Sequence, residues 1–375
     1  RVYQAPLIEL DQAAESAFLN ALPFALTGAQ ARVLKTLYDD LKSASPMLRL
    51  VQGDVGSGKT VVAAMAALQA VAKGFQVAIM APTEILAEQH FQHFTRWFAP
   101  LGYQLAWLSS QVKGKKRVET LANIASGKAA IVVGTHALFQ KEVTFAKLAL
   151  IVIDEQHRFG VHQRMQLRDK GAKDNVHPHQ LIMTATPIPR TLAMCAYADL
   201  DQSIIDELPP GRKPIKTVVM DNHKRASVVE RIDSACQTGR QAYWVCTLIE
   251  ESELLQCQAA EVTAKQLQRA LPRLSVGLVH GRMKASEKEA VMQAFKRGEI
   301  HLLVATTVIE VGVDVPNASL MIIDNPERLG LSQLHQLRGR VGRGDQDSHC
   351  VLMYQHPLSK IARERLTILR ESQDG

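Results

Sequence analysis

The stretch GDVGSGKT, Gly53 to Thr60, sets glycines at Gly53, Gly56 and Gly58 around Ser57 and follows them with an ammonium and a hydroxyl. Residues without side chains let successive backbone N–H groups turn inward around a phosphate. The start of a following helix adds positive potential. In that pattern Lys59 bridges a β- and a γ-phosphate, and Thr60 holds Mg²⁺ through its hydroxyl. A tight glycine turn with a surface lysine uses the same residue types without the chemistry. Here, however, the pattern stands between the apolar run MLRLVQ and the helical run TVVAAMAALQAVAKG, the strand-then-helix setting that a phosphate loop requires.

Two further stretches carry groups that would complete such a site. In IVIDEQHRFG an apolar run ends on adjacent carboxylates, Asp154 and Glu155. At the carboxyl end of a parallel strand Asp154 would serve the magnesium shell and Glu155 would orient an attacking water, with Gln156 and His157 beneath the γ-phosphate. A core strand meeting solvent also ends on acids, so this reading depends on the phosphate loop. In QLRGRVGRG the arginines alternate with glycines, which weaken a helix and add no solubility. Arg340 and Arg343 are therefore expected to act as arginine fingers, delivered across a cleft to a nucleotide held by the first half of the chain. A solvated charged helix face is the plainer alternative.

The elements that must position these groups are legible as short Val- and Ile-rich runs. They are FQVAIM, YQLAWL, AAIVVG, LALIVI and QLIMTA in the first half, then IKTVVM, QAYWVC, LSVGLV, HLLVAT, LMIIDN and CVLMY. Continuous rather than alternating apolar runs predict strands covered on both faces, hence mostly parallel sheets with helices on each side. The stretch DELPPGRKP separates the two sets, and its prolines and glycine exclude regular structure. It divides the chain into domains 1–211 and 212–375. Thr135, Thr184, Thr186, Thr306 and Thr307 fall at strand ends in both halves, which suggests two similar phosphate-handling lobes. Threonine is also an ordinary strand former.

Composition narrows the remaining classes. At 375 residues, 46% hydrophobic and 22% charged, the chain is an ordinary globular protein of two domains. No apolar run reaches the roughly 18–20 residues a membrane helix needs, so no membrane is expected. Cys195, Cys236, Cys246, Cys257 and Cys350 are widely spaced without a CxxC pair, which suggests reduced thiols rather than a zinc site or disulfide framework. A net charge of +7 suits a polyanionic partner. From these features alone a small-molecule phosphotransferase, a catalytically silent nucleic-acid clamp and an RNA-directed enzyme all stay open.

Taken in order, GDVGSGKT, DEQH, TATPIPR, VATTVIEVGVDVPNA and QLRGRVGRG resemble helicase superfamily two over nearly the whole chain. The narrower stretches DEQHRFGVHQR, VGTHALFQ, YADLDQSIIDELPPGRKPI, YWVCTLIEESE and LVHGRM resemble its bacterial RecG branch-migration family. The resemblance implies an α/β fold of two tandem RecA-like P-loop lobes, an ATP-binding lobe followed by a C-terminal helicase lobe. It implies ATP and Mg²⁺ as ligands and DNA as partner, branched or forked duplex in the intact protein. A cytoplasmic, nucleoid-associated bacterial monomer follows from the same source.

The resemblance also assigns residues. LPFALTGAQ matches the adenine-reading segment, with Phe24 stacking near the base and Gln30 reading its edge, although a helix-starting turn would look alike. Pro82, Thr83 and Glu84, and Gly134, Thr135 and His136, match motifs along the DNA track. Thr184 and Thr186 match the motif that couples nucleotide state to lobe movement. His280, Gly281, Arg282 and Thr306 match strand-contacting positions, while Gly312 and Asp314 border the nucleotide. The family's wedge domain is not found ahead of LPFALTGAQ, nor its hook segment after RESQDG. The expectation is a motor piece of a longer protein, without the parts that read a junction.

Overall fold

The computed structural model of the protein describes residues 3–54, 56–155, 175–185, 200–207, 213–247, 253–306, 315–342, 344 and 346–371. The chain divides into two compact units, Arg1–Pro209 and Pro210–Gly375.

In the first unit the chain order is α1 (Gln12–Ala21), α2 (Gly28–Leu41), β1 (Leu48–Gly53), α3 (Lys59–Ala72), β2 (Gln76–Met80) and α4 (Glu84–Phe98). There follow β3 (Leu105–Leu108), α5 (Gly114–Ala125), β4 (Ile131–Gly134), β5 (Leu148–Asp154), β6 (His179–Thr184) and β7 (Asp201–Ile205). The strands form one sheet ordered β3-β4-β2-β5-β6-β1-β7, parallel throughout. Side chains alternate across a strand, so the sheet separates two cores. Val51, Val77, Ile79, Val133, Val152 and Leu181 pack with α3 on one face. Leu50, Ala78, Val132, Ile151, Ile153 and Ile182 pack with Leu108, Ile124 and Leu138 on the other. Helix α3 is buried at every position from Val61 to Val71, the condition of a helix apolar all round.

Two details of this sheet are absent from the sequence reading. Strand β7, DQSII, carries polar residues and half-exposed positions, which concealed it among linker residues. Among the described residues it is an edge strand paired only to β1, with Gly53 opposite Ile205. The strand that carries the acidic pair is also not a neighbour of the phosphate-loop strand, because β6 lies between β5 and β1.

The second unit runs β8 (Lys216–Asp221), α6 (Arg225–Gln237), β9 (Gln241–Cys246), α7 (Glu253–Ala270), β10 (Val276–Val279) and α8 (Ala285–Lys296). It continues with β11 (Leu302–Thr306), β12 (Ala318–Asp324), α9 (Leu331–Arg338), β13 (His349–Tyr354) and α10 (Lys360–Glu371). Its sheet is also parallel, ordered β10-β11-β9-β12-β13-β8. That order repeats β3-β4-β2-β5-β6-β1 strand for strand. Cys236, Cys246, Cys257 and Cys350 are buried free thiols, and Cys195 lies outside the described residues.

Candidate nucleotide site

Parallel strands collect their chemistry along the carboxyl edge, and register determines which residues meet there. Gln52 lies opposite Thr184, Asp154 opposite Met183, Met80 opposite Ile153 and Met80 again opposite Gly134. The phosphate loop, Thr184, the acidic pair, Pro82–Glu84 and Gly134–His136 therefore line one edge of the first sheet.

The loop leaves β1 at Gly53 and enters α3 at Lys59. Gly58 stands at the helix start with φ +87°, a region that costs an L-residue roughly 1–2 kcal/mol. A Cβ there would also run into the side-chain amide of Gln30. Ser57 is fully buried, and its hydroxyl finds no partner among the described residues. Its N–H donates to the Asp54 carbonyl at 3.0 Å. The Lys59 ammonium donates to the carbonyls of Gly53 at 2.6 Å and Asp54 at 2.9 Å, while Thr60 is half-buried in the same first turn. An unsatisfied buried hydroxyl, a glycine whose positive φ would strain any side chain and a lysine curled onto its own loop fit a magnesium nucleotide. Its phosphate oxygens would replace the carbonyls as acceptors.

Gln30 is placed differently from the sequence expectation of a residue facing the base. It is buried, its Oε1 accepts from the Thr27 N–H at 2.9 Å, and its Nε2 donates to the Ser57 carbonyl at 2.9 Å. The first contact completes a capping box with Thr27 at the start of α2. The second ties that helix to the phosphate loop. LPFALTGAQ is thus a helix start and a loop clamp at once. Phe24 is 47% exposed, open to a stacking partner.

Glu155 follows β5 with φ +50°, and its N–H donates to the Met183 carbonyl at 2.9 Å. A non-glycine residue in this region stores strain of order 1–3 kcal/mol, a feature that clusters at active sites. The side chain, 5% exposed, accepts from the Thr184 hydroxyl at 3.2 Å and the Ala185 N–H at 3.3 Å. The carboxylate is therefore fixed beside the strand that separates it from the loop. Asp154, one residue earlier, accepts from His90 Nε2 at 2.7 Å.

Farther along the edge, Thr83 caps α4 by accepting from the Leu86 N–H at 3.4 Å, and Glu84 accepts from the Ser110 hydroxyl at 2.8 Å. Thr135 is buried with its hydroxyl unpartnered among the described residues, and His136 is exposed. In the second unit His280 follows β10 and faces Glu261 at 3.5 Å. Gly281 accepts from Lys288 at 2.8 Å, Arg282 is exposed, and Thr306 ends β11 buried. Arg340 follows α9 and is 2% exposed. His157, Thr186, Gly312, Asp314 and Arg343 lie outside the described residues.

The expectation of two similar phosphate-handling lobes holds for the strand order and fails for the chemistry. Asp324 ends β12 as Asp154 ends β5, and Asn325 has φ +50° like Glu155, donating its N–H to Met353 at 2.9 Å. But the turn Asn222–Lys224 stands where the first unit has its glycine loop. Arg225, at the helix start corresponding to Lys59, reaches Asp324 at 3.1 Å. Trp244 Nε1 donates to the same carboxylate at 2.7 Å, and the guanidinium stacks on the Trp244 ring at 4.5 Å. Protein groups satisfy this acid from both sides, and an amide replaces the second carboxylate.

The sequence reading also missed His90 and Arg338. His90 interrupts the buried stripe Leu86, Phe94, Phe98 of α4, and a polar side chain in such a stripe signals a required partner. Arg338, buried beside the arginine–glycine run, donates to the Leu369 carbonyl at 2.9 Å and so holds α10 against α9.

The DEAD/DEAH box helicase family matches residues 27–195, and the helicase conserved C-terminal domain matches residues 223–345. The ATP-dependent DNA helicase RecG of Escherichia coli strain K12 is 64% identical over 374 residues, covering 100% of this chain and 54% of that protein. The enzyme of the same name from Bacillus subtilis strain 168 is 49% identical over 359 residues, 96% of this chain and 52% of its own length. The chain thus spans about half the length of the curated relatives it matches. A solved structure of RecG bound to a three-way DNA junction superposes with TM-score 0.86 at 40% identity, over 99% of this chain and 48% of that one. Yeast Dbp5 bound to RNA and ADP BeF3, at 17% identity and TM-score 0.67 over 97% of this chain and 92% of that one, shares the two-lobed fold. On this evidence the chain belongs to the RecG family of superfamily two helicases, as two tandem RecA-like lobes.

Proposed function

We propose that the chain is an ATP-driven motor that hydrolyses Mg-ATP on its first lobe and moves on duplex DNA. In the intact protein that motion would remodel stalled replication forks and branch-migrate junctions. One arrangement carries the reading: a phosphate loop and a strained, hydroxyl-anchored carboxylate share one sheet edge, with Thr184 in register beside the loop strand.

Lys59 binds the β- and γ-phosphates, giving up the carbonyls of Gly53 and Asp54. Thr60 and Asp154 would hold Mg²⁺, which would supply charge neutralisation at the phosphates. Glu155 orients the attacking water, and its link to Thr184 ties its position to the end of β6. Arg340 and Arg343 supply cations for the charge that develops on the transferring group. Phe24, Gln30, Gly312 and Asp314 border the nucleotide. Pro82–Glu84, Gly134–His136, His280, Gly281, Arg282 and Thr306 lie along the DNA, with His157 and Thr186 coupling the two sites. The net charge of +7 favours phosphate contact without sequence preference. Residues 1–211 and 212–375 form the two working lobes. Among the described residues no helix is long and apolar enough to cross a membrane. A cytoplasmic monomer on the nucleoid is the setting such a motor needs, because its track is the chromosome. The DNA bound by the solved RecG relative supports that partner.

Lys59→Ala and Glu155→Gln separate the roles. Lys59→Ala is expected to weaken ATP binding, and Glu155→Gln to leave binding intact while hydrolysis stops. Equal loss of binding in both overturns the division of labour. Parental hydrolysis in the presence of duplex DNA and a rate raised only by RNA would overturn the assignment of the track.

A further inference from the structure

We propose that His90 is a positioning residue for the metal site: it sets the rotation of the Asp154 carboxylate and thereby the affinity of the nucleotide complex for Mg²⁺. The inference rests on the reading of Asp154 as a magnesium-shell residue. The backbone of Asp154 is secured by pairing of β5 with β6, where it lies opposite Met183. Its side chain is not secured by the strand, because the terminal torsion of an aspartate, sp³ to sp², is broad. His90 Nε2 supplies the constraint, donating to Oδ2 at 2.7 Å, within the short range of hydrogen bonds to charged acceptors. Asp154's other oxygen makes no hydrogen bond among the described residues, so one oxygen is pinned and its twin is left for another partner.

The support behind the pin is rigid. His90 is 6% exposed and sits in the buried stripe of α4 between Leu86 and Phe94. That helix is capped at its start by Thr83 and held near its end by Phe98, whose ring packs on Phe18 of α1 with centroids 5.4 Å apart. Facing a carboxylate, Nε2 is the donating nitrogen, and the buried Nδ1 has no partner among the described residues. A histidine kept only for packing would be better replaced by leucine in this stripe, since leucine leaves no polar atom to satisfy. Partners that orient metal-shell carboxylates typically change metal affinity or activity by about 10–100-fold when removed.

The test uses the whole chain and a fluorescent ADP analogue, titrated with Mg²⁺ and, separately, in EDTA, alongside thermal unfolding. His90→Leu removes the donor. His90→Gln keeps one, because glutamine Nε2 is as many bonds from Cα as histidine Nε2. Asp154→Asn reports on the acid itself. The expected result is a Mg²⁺ midpoint about tenfold or more higher in His90→Leu, near-parental in His90→Gln, and shifted in Asp154→Asn, with unchanged affinity in EDTA. A parental midpoint in His90→Leu with a shift in Asp154→Asn makes His90 a packing residue and overturns the proposal. No shift in either variant overturns the reading of Asp154, and the proposal with it. If His90→Leu does not fold, His90→Asn, too short to reach the carboxylate, is compared with His90→Gln by the same criteria.

Discussion

Replacing Gln30 by methionine keeps the length and volume of the side chain and removes its amide. Two contacts disappear together: the acceptor for the Thr27 N–H and the donor to the Ser57 carbonyl, each at 2.9 Å. A typical hydrogen bond contributes about 0.5–1.5 kcal/mol net, and a buried group left without a partner costs about 1–3 kcal/mol. Thr27 is half-buried and can turn to water, but the Ser57 contact is buried. The sum is about 2 kcal/mol, which for a domain of this size lowers the midpoint of unfolding by roughly 4–8 °C. The expected loss needs no nucleotide, because both partners belong to the first lobe. Differential scanning calorimetry of parent and Gln30→Met without ligand measures it, and ATP and GTP affinities follow on the same samples. The loop should also bind nucleotide more weakly, since its phosphate-binding N–H groups lose their support. A parental midpoint in Gln30→Met would refute the clamp. If that result came with loss of preference for ATP over GTP, the amide would belong to the base alone.

Two other perturbations probe separate parts of the molecule. Arg340→Lys keeps the charge without the planar fork and is expected to lower ATP turnover by about 10³-fold or more, with nucleotide still bound; turnover within tenfold of the parent would remove the arginine from the reaction. His179 accepts from the Met47 N–H at 3.1 Å and donates to the Pro6 carbonyl at 2.8 Å, and burial holds its pKa below the ordinary histidine range, against smaller opposing effects of Pro6 and Asp40. Its stabilising effect is present above the unfolded pKa of about 6.5 and is lost as pH falls through the lower folded value. The parent should therefore lose thermal stability between pH 7 and 5 more steeply than His179→Leu, as read from unfolding midpoints; identical slopes would show that another group carries the acid dependence.

What the amino-acid order determined unaided is the part whose chemistry is local in the chain. The phosphate loop needs glycines, a lysine and a threonine at set spacing between a strand and a helix, and Gly53 to Thr60 satisfy that within eight positions. Strands covered on both faces are apolar at nearly every position, so β2, β4, β5 and β9 were visible as runs. β7 was not, because an edge strand is free to carry Asp201, Gln202 and Ser203. Tertiary structure alone decided the contacts between distant segments. Gln30 and Ser57 are 27 residues apart, and His90 and Asp154 are 64 apart. Nothing in either segment names its partner, because the meeting depends on strand order and helix rotation. The same holds for the difference between the lobes. IVIDE and MIIDN look alike as strand ends, and only packing shows the first acid on the same sheet edge as a phosphate loop and the second paired with Arg225 and hydrogen-bonded by Trp244. Spacing along a chain specifies a loop that closes on itself, whereas a site shared among strands requires the sheet that brings their ends together.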